Sequence, residues 1–196
     1  MSNVDLGPAA QRVAALVADV TDDELGDPTP CPAYTLGDLI DHVGRMALAF
    51  TAAGEKEAGP WTEQQPPGDA ARLTDDWRVR IPRDLGRLAR AWQEPAAWTG
   101  TTRIAGGDTP GEVVGRILAD ELVVHGWDLA RARGQHYEAE PEAVGAAREF
   151  LEMFASPDAP AGPEVAFGPS RPAPATATAL DRVVALAGRD LAWSPR

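Results

Sequence analysis

The sequence is poor in residues and segments that mark several classes of protein. It has one cysteine, Cys31, in 196 residues, whereas a small secreted domain usually carries paired cysteines. It has no run of about 18 apolar residues, so we expect no membrane span. The N-terminus, MSNVDLGPAA, lacks the basic start and the apolar core of a signal peptide. We therefore expect a cytoplasmic protein.

Positive charge is also scarce. The formal net charge is -12, with 18 basic residues against 30 acidic ones. Nucleic acids and anionic membranes bind basic surfaces through counterion release, so we expect neither as a partner. Lys56 is the only lysine. This preference for arginine, together with abundant Ala, Gly and Pro, suggests a high-GC bacterial genome.

Helical periodicity accounts for most of the chain, and almost no strands are predicted. Apolar residues at helical spacing predict a first helix over residues 8–20. Thr35 and Asp38 form a capping-box-like start for a second helix that reaches about residue 53. Residues 54–68 contain Gly, Pro and Trp61 without a sustained period, and we predict a long surface connection there.

Two further long helices complete a predicted bundle. A third helical pattern covers residues 69–92, in which Pro82 should kink or divide the helix. The motif TPGE at 109–112 offers an N-cap threonine, a proline in the first turn and a capping-box glutamate. The helix that it starts should end at Gly134. Four helices joined by loops of varied length predict an up-and-down bundle.

The C-terminal part predicts a fifth helix over residues 141–154, then a stretch rich in Pro, Ala and Gly, then one short amphipathic helix. This part is either a tail packed across the bundle or a loosely attached extension. Four apolar side chains favour packing: Val183, Val184, Leu186 and Trp193. We therefore expect a single domain, with residues 1–158 as the bundle and residues 159–196 as an extension packed on it.

The fourth helix carries polar side chains where aliphatic ones are expected. At about 100° per residue, Glu121 and His125 fall inside its apolar stripe and Asp128 lies beside them. An unpaired buried carboxylate costs several kcal/mol or shifts its pKa. These residues form a closed pair, an acid–base pair for catalysis, or part of a metal site.

A metal site needs a third ligand, and the chain has three histidines. His136 follows a helix-ending glycine and is expected to be an exposed loop residue. His42 lies at the flank of the apolar stripe of the second helix. It is either a core or boundary histidine, which is the expectation when it is taken alone, or a ligand directed sideways into the bundle interior. With Glu121 and His125 it gives the composition of an open zinc site or of a non-haem iron triad.

Two motifs carry a family resemblance. TPCPAYTLGDLIDHV, followed later by DELVVHGWDLARARG, resembles the N-terminal, metal-binding domain of the mycothiol-dependent maleylpyruvate isomerases, in the DinB-like superfamily. The C-terminal stretch FGPSRPAPATATALDRVVALAGRDLAW is similar to the ends of small actinobacterial members. The resemblance implies an all-α, DinB-like four-helix bundle with a short C-terminal helical extension. It also implies one divalent metal, zinc first, with iron or nickel as alternatives.

By position, the resemblance makes His42, Glu121 and His125 the metal ligands. Asp128 is then either a partner that orients an imidazole or a helix or loop contact near the end of the bundle. Trp127 either packs in the core or lines a pocket. The isomerases carry a further C-terminal domain that contributes an arginine to substrate handling, and this sequence ends too early to hold it. The resemblance therefore carries over the metal chemistry and not maleylpyruvate isomerisation itself.

The expected function follows from that chemistry. A metal with an open position can bind a thiol, here mycothiol, and lower its pKa, and the thiolate can then add to a small electrophile. The result is isomerisation or S-transfer. The alternative is a metal-stabilised bundle that binds a small ligand without turnover. We expect a monomer or homodimer whose partners are the small-molecule thiol and electrophile.

Four other residues are weaker candidates. Cys31 precedes the second helix, where the helix dipole can lower a thiol pKa, but a structural or loop-borne cysteine is the expected reading. Arg45, Arg103 and Arg116 either neutralise an acidic substrate or are solvated surface charges. The glycine-containing segments lack the spacing of a phosphate-binding loop, so no nucleotide site is predicted.

Overall fold

A computed structural model describes residues 3–154 and 168–195 of the chain. Within this part the secondary structure is helical apart from one two-stranded hairpin, which confirms the expected all-α class. In chain order the elements are α1 Gly7–Ala18, α2 Leu36–Gly54, α3 Trp77–Gln93, α4 Pro95–Trp98, β1 Thr101–Ile104, β2 Gly107–Pro110, α5 Gly111–Ala132, α6 Pro141–Phe154 and α7 Ala179–Leu186. None of these helices is long and apolar enough to cross a membrane.

Four helices, α1, α2, α3 and α5, form the bundle. Helix α3 packs against α1 and α2, and α5 packs against the same two helices from the other side. Helix α6 covers the outer face of α5, and α7 packs mainly on α6. As a result 17 of the 22 residues of α5 are buried. Water cannot hydrate most of this helix, so its polar side chains depend on partners within the protein.

Helix α2 begins as its sequence predicts. The side-chain oxygen of Thr35 accepts the backbone N–H of Asp38 at 3.3 Å, and the Asp38 carboxylate accepts the N–H of Thr35 at 3.1 Å. This reciprocal capping box fixes the first turn of α2 and therefore the rotational position of the side chains that follow it.

The predicted N-cap residue of α5 is wrong. Thr109 does not cap the helix; it lies in β2, opposite Thr102 of β1. Pro110 is the N-cap residue and makes no side-chain cap. The antiparallel pairing with β1 holds the backbone of residues 107–110 extended, so the helix starts only after it. The predicted end is confirmed, because Gly134 follows α5 with a φ of 65°, a conformation that glycine adopts without strain.

The third helix is shorter than predicted, and Pro82 does not divide it. Helix α3 starts at Trp77, and Pro82 lies inside it. Before helix α3, a short 3-10 turn at Ala70–Arg72 is hydrogen-bonded to α2. The N–H of Ala70 donates to Asp38 at 2.9 Å and the N–H of Asp69 donates to Asp41 at 3.1 Å. These bonds hold the end of the long connection against α2.

The C-terminal segment packs through a short apolar face. Val183, Val184 and Ala187 are buried, and Leu186 and Trp193 are partly buried against the core. The expected boundary between residues 158 and 159 lies outside the described residues. What the structure shows of the extension is residues 168–195, which lie against α6 and α5.

Candidate metal centre

The three predicted ligands meet at one place. His42 comes from α2, and Glu121 and His125 come from successive turns of α5. One donor atom from each lies within 4.8 Å of the others. The Nε2 atoms of His42 and His125 lie 3.1 Å and 3.3 Å from the same oxygen, Glu121 Oε2. Among the described residues this is the one such group of His, Cys, Asp and Glu side chains.

Helical spacing explains why the cluster forms. Glu121 and His125 are four residues apart, so their side chains lie on one face of α5. His42 lies between the buried residues Leu39 and Met46 of α2, on the side that faces α5. The side chain of His42 is 21% exposed, that of Glu121 is 12% exposed, and that of His125 is 0% exposed. Solvent therefore reaches the site from the side of His42 and Glu121.

Asp128 fixes the orientation of the buried imidazole. Its Oδ2 lies 3.0 Å from His125 Nδ1, which leaves Nε2 directed towards Glu121. Asp128 is in turn bound by Arg189, which follows α7: Nη2 donates to Oδ2 at 2.8 Å and Nε donates to Oδ1 at 3.1 Å. Asp128 thus lies between the imidazole of His125 and the guanidinium of Arg189. Arg189 is a residue that sequence reasoning missed.

No local pattern identifies Arg189 as part of the site. Helix α7 ends at Leu186, and Gly188 turns the chain with a φ of 84°. Helical periodicity therefore no longer determines where the Arg189 side chain lies. The one available signal is an arginine beside an aspartate within a mainly apolar C-terminal stretch, ALAGRDLAW, which is too weak to point to a partner on α5.

Hydrogen bonds outweigh burial in setting the charges of the cluster. Burial opposes ionisation of Glu121, yet hydrogen bonds with His125 and His42 hold the pKa of its carboxyl below the ordinary value. Burial also opposes a charged His125, but hydrogen bonds with Asp128 and Glu121 raise its pKa to about 10. Burial raises the pKa of Asp128, while the charge of Arg189 and the bond with His125 bring it below the usual range. Without a metal, His125 is therefore protonated and pairs with the carboxylates of Glu121 and Asp128.

A second carboxyl on α5 has a different state. Asp120 is fully buried, and neither of its side-chain oxygens has a hydrogen-bond partner within the part of the chain that the structure describes. Burial, reinforced by the charge of Glu121, raises the pKa of Asp120 well above its ordinary value. Burial therefore favours the neutral form of the Asp120 carboxyl, which is not a member of the cluster.

The loop before α2 and the long connection after it border His42. The ring of Tyr34 stacks on His42 at a centroid distance of 5.3 Å. A Cβ at Gly68 would collide with the carbonyl oxygen of Asp38 and lie 3.1 Å from the Cβ of His42, so only glycine fits this approach to α2. Cys31 is buried in the loop, and its backbone N–H donates to Thr29. This is the structural position expected for it.

The remaining predicted residues lie outside the cluster. The side chain of His136 is 83% exposed, which confirms a surface loop position. Trp127 is buried and packs with Ala130, Tyr137 and Val184 in a separate apolar group. It also borders a cavity of about 550 Å³ between α5, α6 and α7. It therefore packs and lines a cavity at once, away from the three ligands.

The three candidate arginines differ in their pairing. Arg103 is bound to Glu63 at 2.7 Å and Arg116 to Glu149 at 2.9 Å, so both are neutralised. Arg45 donates to the side-chain oxygen of Gln65 at 2.6 Å and makes no ion pair with a carboxylate of the described residues. It borders a cavity of about 510 Å³ that Trp61 and Arg72 also line.

The donor set fits a divalent metal. Two imidazole Nε2 atoms and one carboxylate are the ligands of catalytic zinc sites that keep one position open. Asp128 supplies the partner that metal-bound imidazoles usually have on their other nitrogen. Fold and site together define a class, that of helical-bundle proteins with a His–Glu–His cluster, suited to holding a metal, between two helices of the bundle.

Sequence comparison places the chain within a family. A family model described as the mycothiol maleylpyruvate isomerase N-terminal domain matches residues 6–130. The chain belongs to this family, and its bundle has the DinB-like fold. The matched range contains all three candidate ligands and Asp128. It ends before α6, α7 and Arg189.

Two relatives of similar length come from Mycobacterium tuberculosis. The uncharacterized proteins MT0763 and Rv0738 of Mycobacterium tuberculosis, from strains CDC 1551 and H37Rv, are each 30% identical to the chain over 189 residues. The alignment covers 92% of this chain and 93% of each relative. No solved structure gives a significant match.

Proposed function

We propose that the protein binds one divalent metal, zinc first, through His42, Glu121 and His125, and uses it to activate mycothiol. The activated thiol would react with a small electrophile, with isomerisation or S-transfer as the outcome. The observation that carries the proposal is the meeting of three metal-binding donors within 4.8 Å at a place that solvent reaches. Membership of the mycothiol-related family supports the choice of thiol.

The chemistry of such a site is defined by its charges. A bound divalent cation lowers the pKa of a coordinated thiol, so that the thiolate is available near neutral pH. With both imidazoles neutral, Glu121 and Asp128 outnumber Arg189 by one negative charge. With a divalent cation bound, the net charge would be one positive, which a thiolate ligand would neutralise. Charge balance in a largely buried site therefore favours an anionic sulfur ligand.

The chain's own residues have distinct tasks in this proposal. Asp128 accepts the Nδ1–H of His125 and so keeps the lone pair of Nε2 directed at the site. Tyr34 stacks on His42 and restricts rotation of that ring. Arg45 lies one turn after His42 on α2, and its guanidinium is not neutralised by a described carboxylate. We assign to it the recognition of an anionic group on the electrophile.

The first experiment measures metal content. Protein purified without chelators should contain about one divalent ion per chain, measured by mass spectrometry of the metal. His125→Ala should lose most of it, and His136→Ala, on the exposed loop, should keep it. A metal-poor wild-type protein would show that the assignment is wrong, as would a His125→Ala variant with unchanged metal content and thermal stability.

The second experiment separates an enzyme from a metal-stabilised binding protein. Short polar contacts run from His42 through Glu121, His125 and Asp128 to Arg189 and pair each carboxylate with a neighbouring imidazole or guanidinium, which favours a structural role as the second candidate. In the cobalt-substituted protein, added mycothiol should change the visible spectrum through a sulfur–cobalt bond. A spectrum that ignores saturating mycothiol would favour the structural role.

A further inference from the structure

We infer that Arg189, outside the family-matched range, is a positioning residue of the metal centre, through which the C-terminal segment sets the affinity for metal. This rests on the proposed metal site. The structural basis is a continuous series of short contacts from the C-terminal segment to a ligand. Arg189 binds Asp128, Asp128 binds His125 Nδ1, and His125 Nε2 faces the site.

The contact between Arg189 and Asp128 is specific in its geometry. The two residues are 61 positions apart in the chain, and both side chains are 0% exposed. Two guanidinium nitrogens reach the two carboxylate oxygens, at 2.8 Å and 3.1 Å. A bidentate pair of this kind fixes the plane of the carboxylate as well as its position. It therefore determines where Oδ2 meets His125.

Arg189 is itself held firmly by the end of α7. Its Nη1 donates to the carbonyl of Ala187 at 2.9 Å, and its backbone N–H donates to the carbonyl of Val184 at 2.9 Å. Gly188 makes the turn, and a Cβ there would lie 2.8 Å from the backbone of Gly168. Since Val184 is buried, docking of α7 and placement of the guanidinium occur together.

The loss of Arg189 should act on the metal through His125. Asp128 would keep one of its two partners but lose the one that fixes its plane and balances its charge. Residues that orient a ligand typically contribute 10–100-fold to metal affinity. Arg189 acts one contact further away, so we expect a weakening of about tenfold. An arginine that only stabilises the fold would change the unfolding curve and leave the metal affinity unchanged.

The test compares zinc affinity in full-length variants by competition with a chromophoric chelator. Arg189→Met should bind zinc about tenfold more weakly, and Arg189→Lys should fall between it and the wild type, since lysine keeps the charge but not the fork. Arg182→Met is the matched control: Arg182 lies exposed on α7, and its guanidinium donates to the carbonyl of Ala175 at 3.4 Å. It should bind zinc as the wild type does.

The cobalt spectrum supplies a second readout. Arg189→Met and Arg189→Lys should shift the ligand-field bands, because the His125 ligand is reoriented, and Arg182→Met should not. Wild-type affinity and spectrum in a folded Arg189→Met protein would overturn the inference. If Arg189→Met does not fold, Arg189→Lys decides, and wild-type values in it would be equally contrary. A wild-type protein that binds no zinc would instead overturn the proposed function, and this inference with it.

Discussion

Replacing Asp128 and Arg189, singly and together, should expose the energetic coupling of the buried ion pair. Asp128→Leu leaves a guanidinium without its carboxylate, and Arg189→Met leaves a carboxylate without its guanidinium. Both side chains are 0% exposed, so water cannot solvate the group that remains. Breaking a buried pair in this way costs about 3–5 kcal/mol. We expect each single variant to lose stability by about that amount.

The double variant should lose much less stability than the two single variants lose together. Two unit charges about 4 Å apart at an effective dielectric constant of about 20 attract by about 4 kcal/mol, and the contacts here are 2.8 Å and 3.1 Å. Replacing a whole buried pair by apolar side chains of similar size is often close to neutral. The coupling free energy from the cycle should therefore be about 3 kcal/mol or more.

The assay is urea unfolding of metal-free protein at pH 7, in chelator, so that metal binding does not contribute to the free energy of unfolding. Equal urea slopes across the four proteins would allow their free energies to be compared. If the losses of unfolding free energy in the two single variants sum to the loss in the double variant within about 0.5 kcal/mol, the reasoning is refuted. Zinc affinity should stay low in the double variant, because His125 has lost Asp128 even though no unpaired guanidinium remains.

Two further predictions concern packing and pH. A Cβ at Gly126 would collide with the hydroxyl of Tyr137, so Gly126→Ala should lower the free energy of unfolding in urea by about 1–3 kcal/mol. In the control, Gly145→Ala, a Cβ would have nothing within 4 Å, and the protein should be stabilised by about 0.5–1 kcal/mol. A stabilised Gly126→Ala would contradict the packing. The backbone N–H of Thr21 leads the hydrogen bonds that lower the pKa of Glu24 from 4.5 to about 2. A carboxyl whose pKa is lowered in the folded state stabilises the fold above its unfolded pKa, and this stabilisation is lost as the pH falls through the folded pKa. The stability deficit of Glu24→Gln relative to the wild type should therefore shrink as the pH is lowered from 4.5 to 2. A deficit that stays constant across that range would disprove the linkage.

Local patterns predicted the elements that local interactions determine. The start of α2 follows from a capping box within four residues, and the end of α5 follows from a single glycine. The hairpin was missed because its turn has no usual signal: Ala105 and Gly106 both have positive φ, at 50° and 78°. Alanine rarely occupies that conformation. The pairing of β1 with β2 then displaced the predicted helix start.

The candidate site divides in the same way. Glu121, His125 and Asp128 follow one another along a single helix, so their common face is fixed by the 3.6-residue period. His42 needed an added assumption about how α2 faces α5, which the resemblance supplied. Arg189 needed the tertiary fold itself, because its partner is 61 residues away and the chain leaves the helix before it.

The series of polar contacts from His42 to Arg189 passes through three side chains of the buried helix α5. Coupling between sites is reciprocal, so an Arg189 that strengthens metal binding tenfold implies a metal that strengthens docking of the C-terminal segment by about 1.4 kcal/mol. That gain would be the same for an enzyme and for a metal-stabilised bundle. Metal-dependent stability therefore cannot distinguish the two functions. The distinction lies at the opposite end of the series, where His42 and Glu121 remain partly exposed and where only a catalytic site has to admit a thiol.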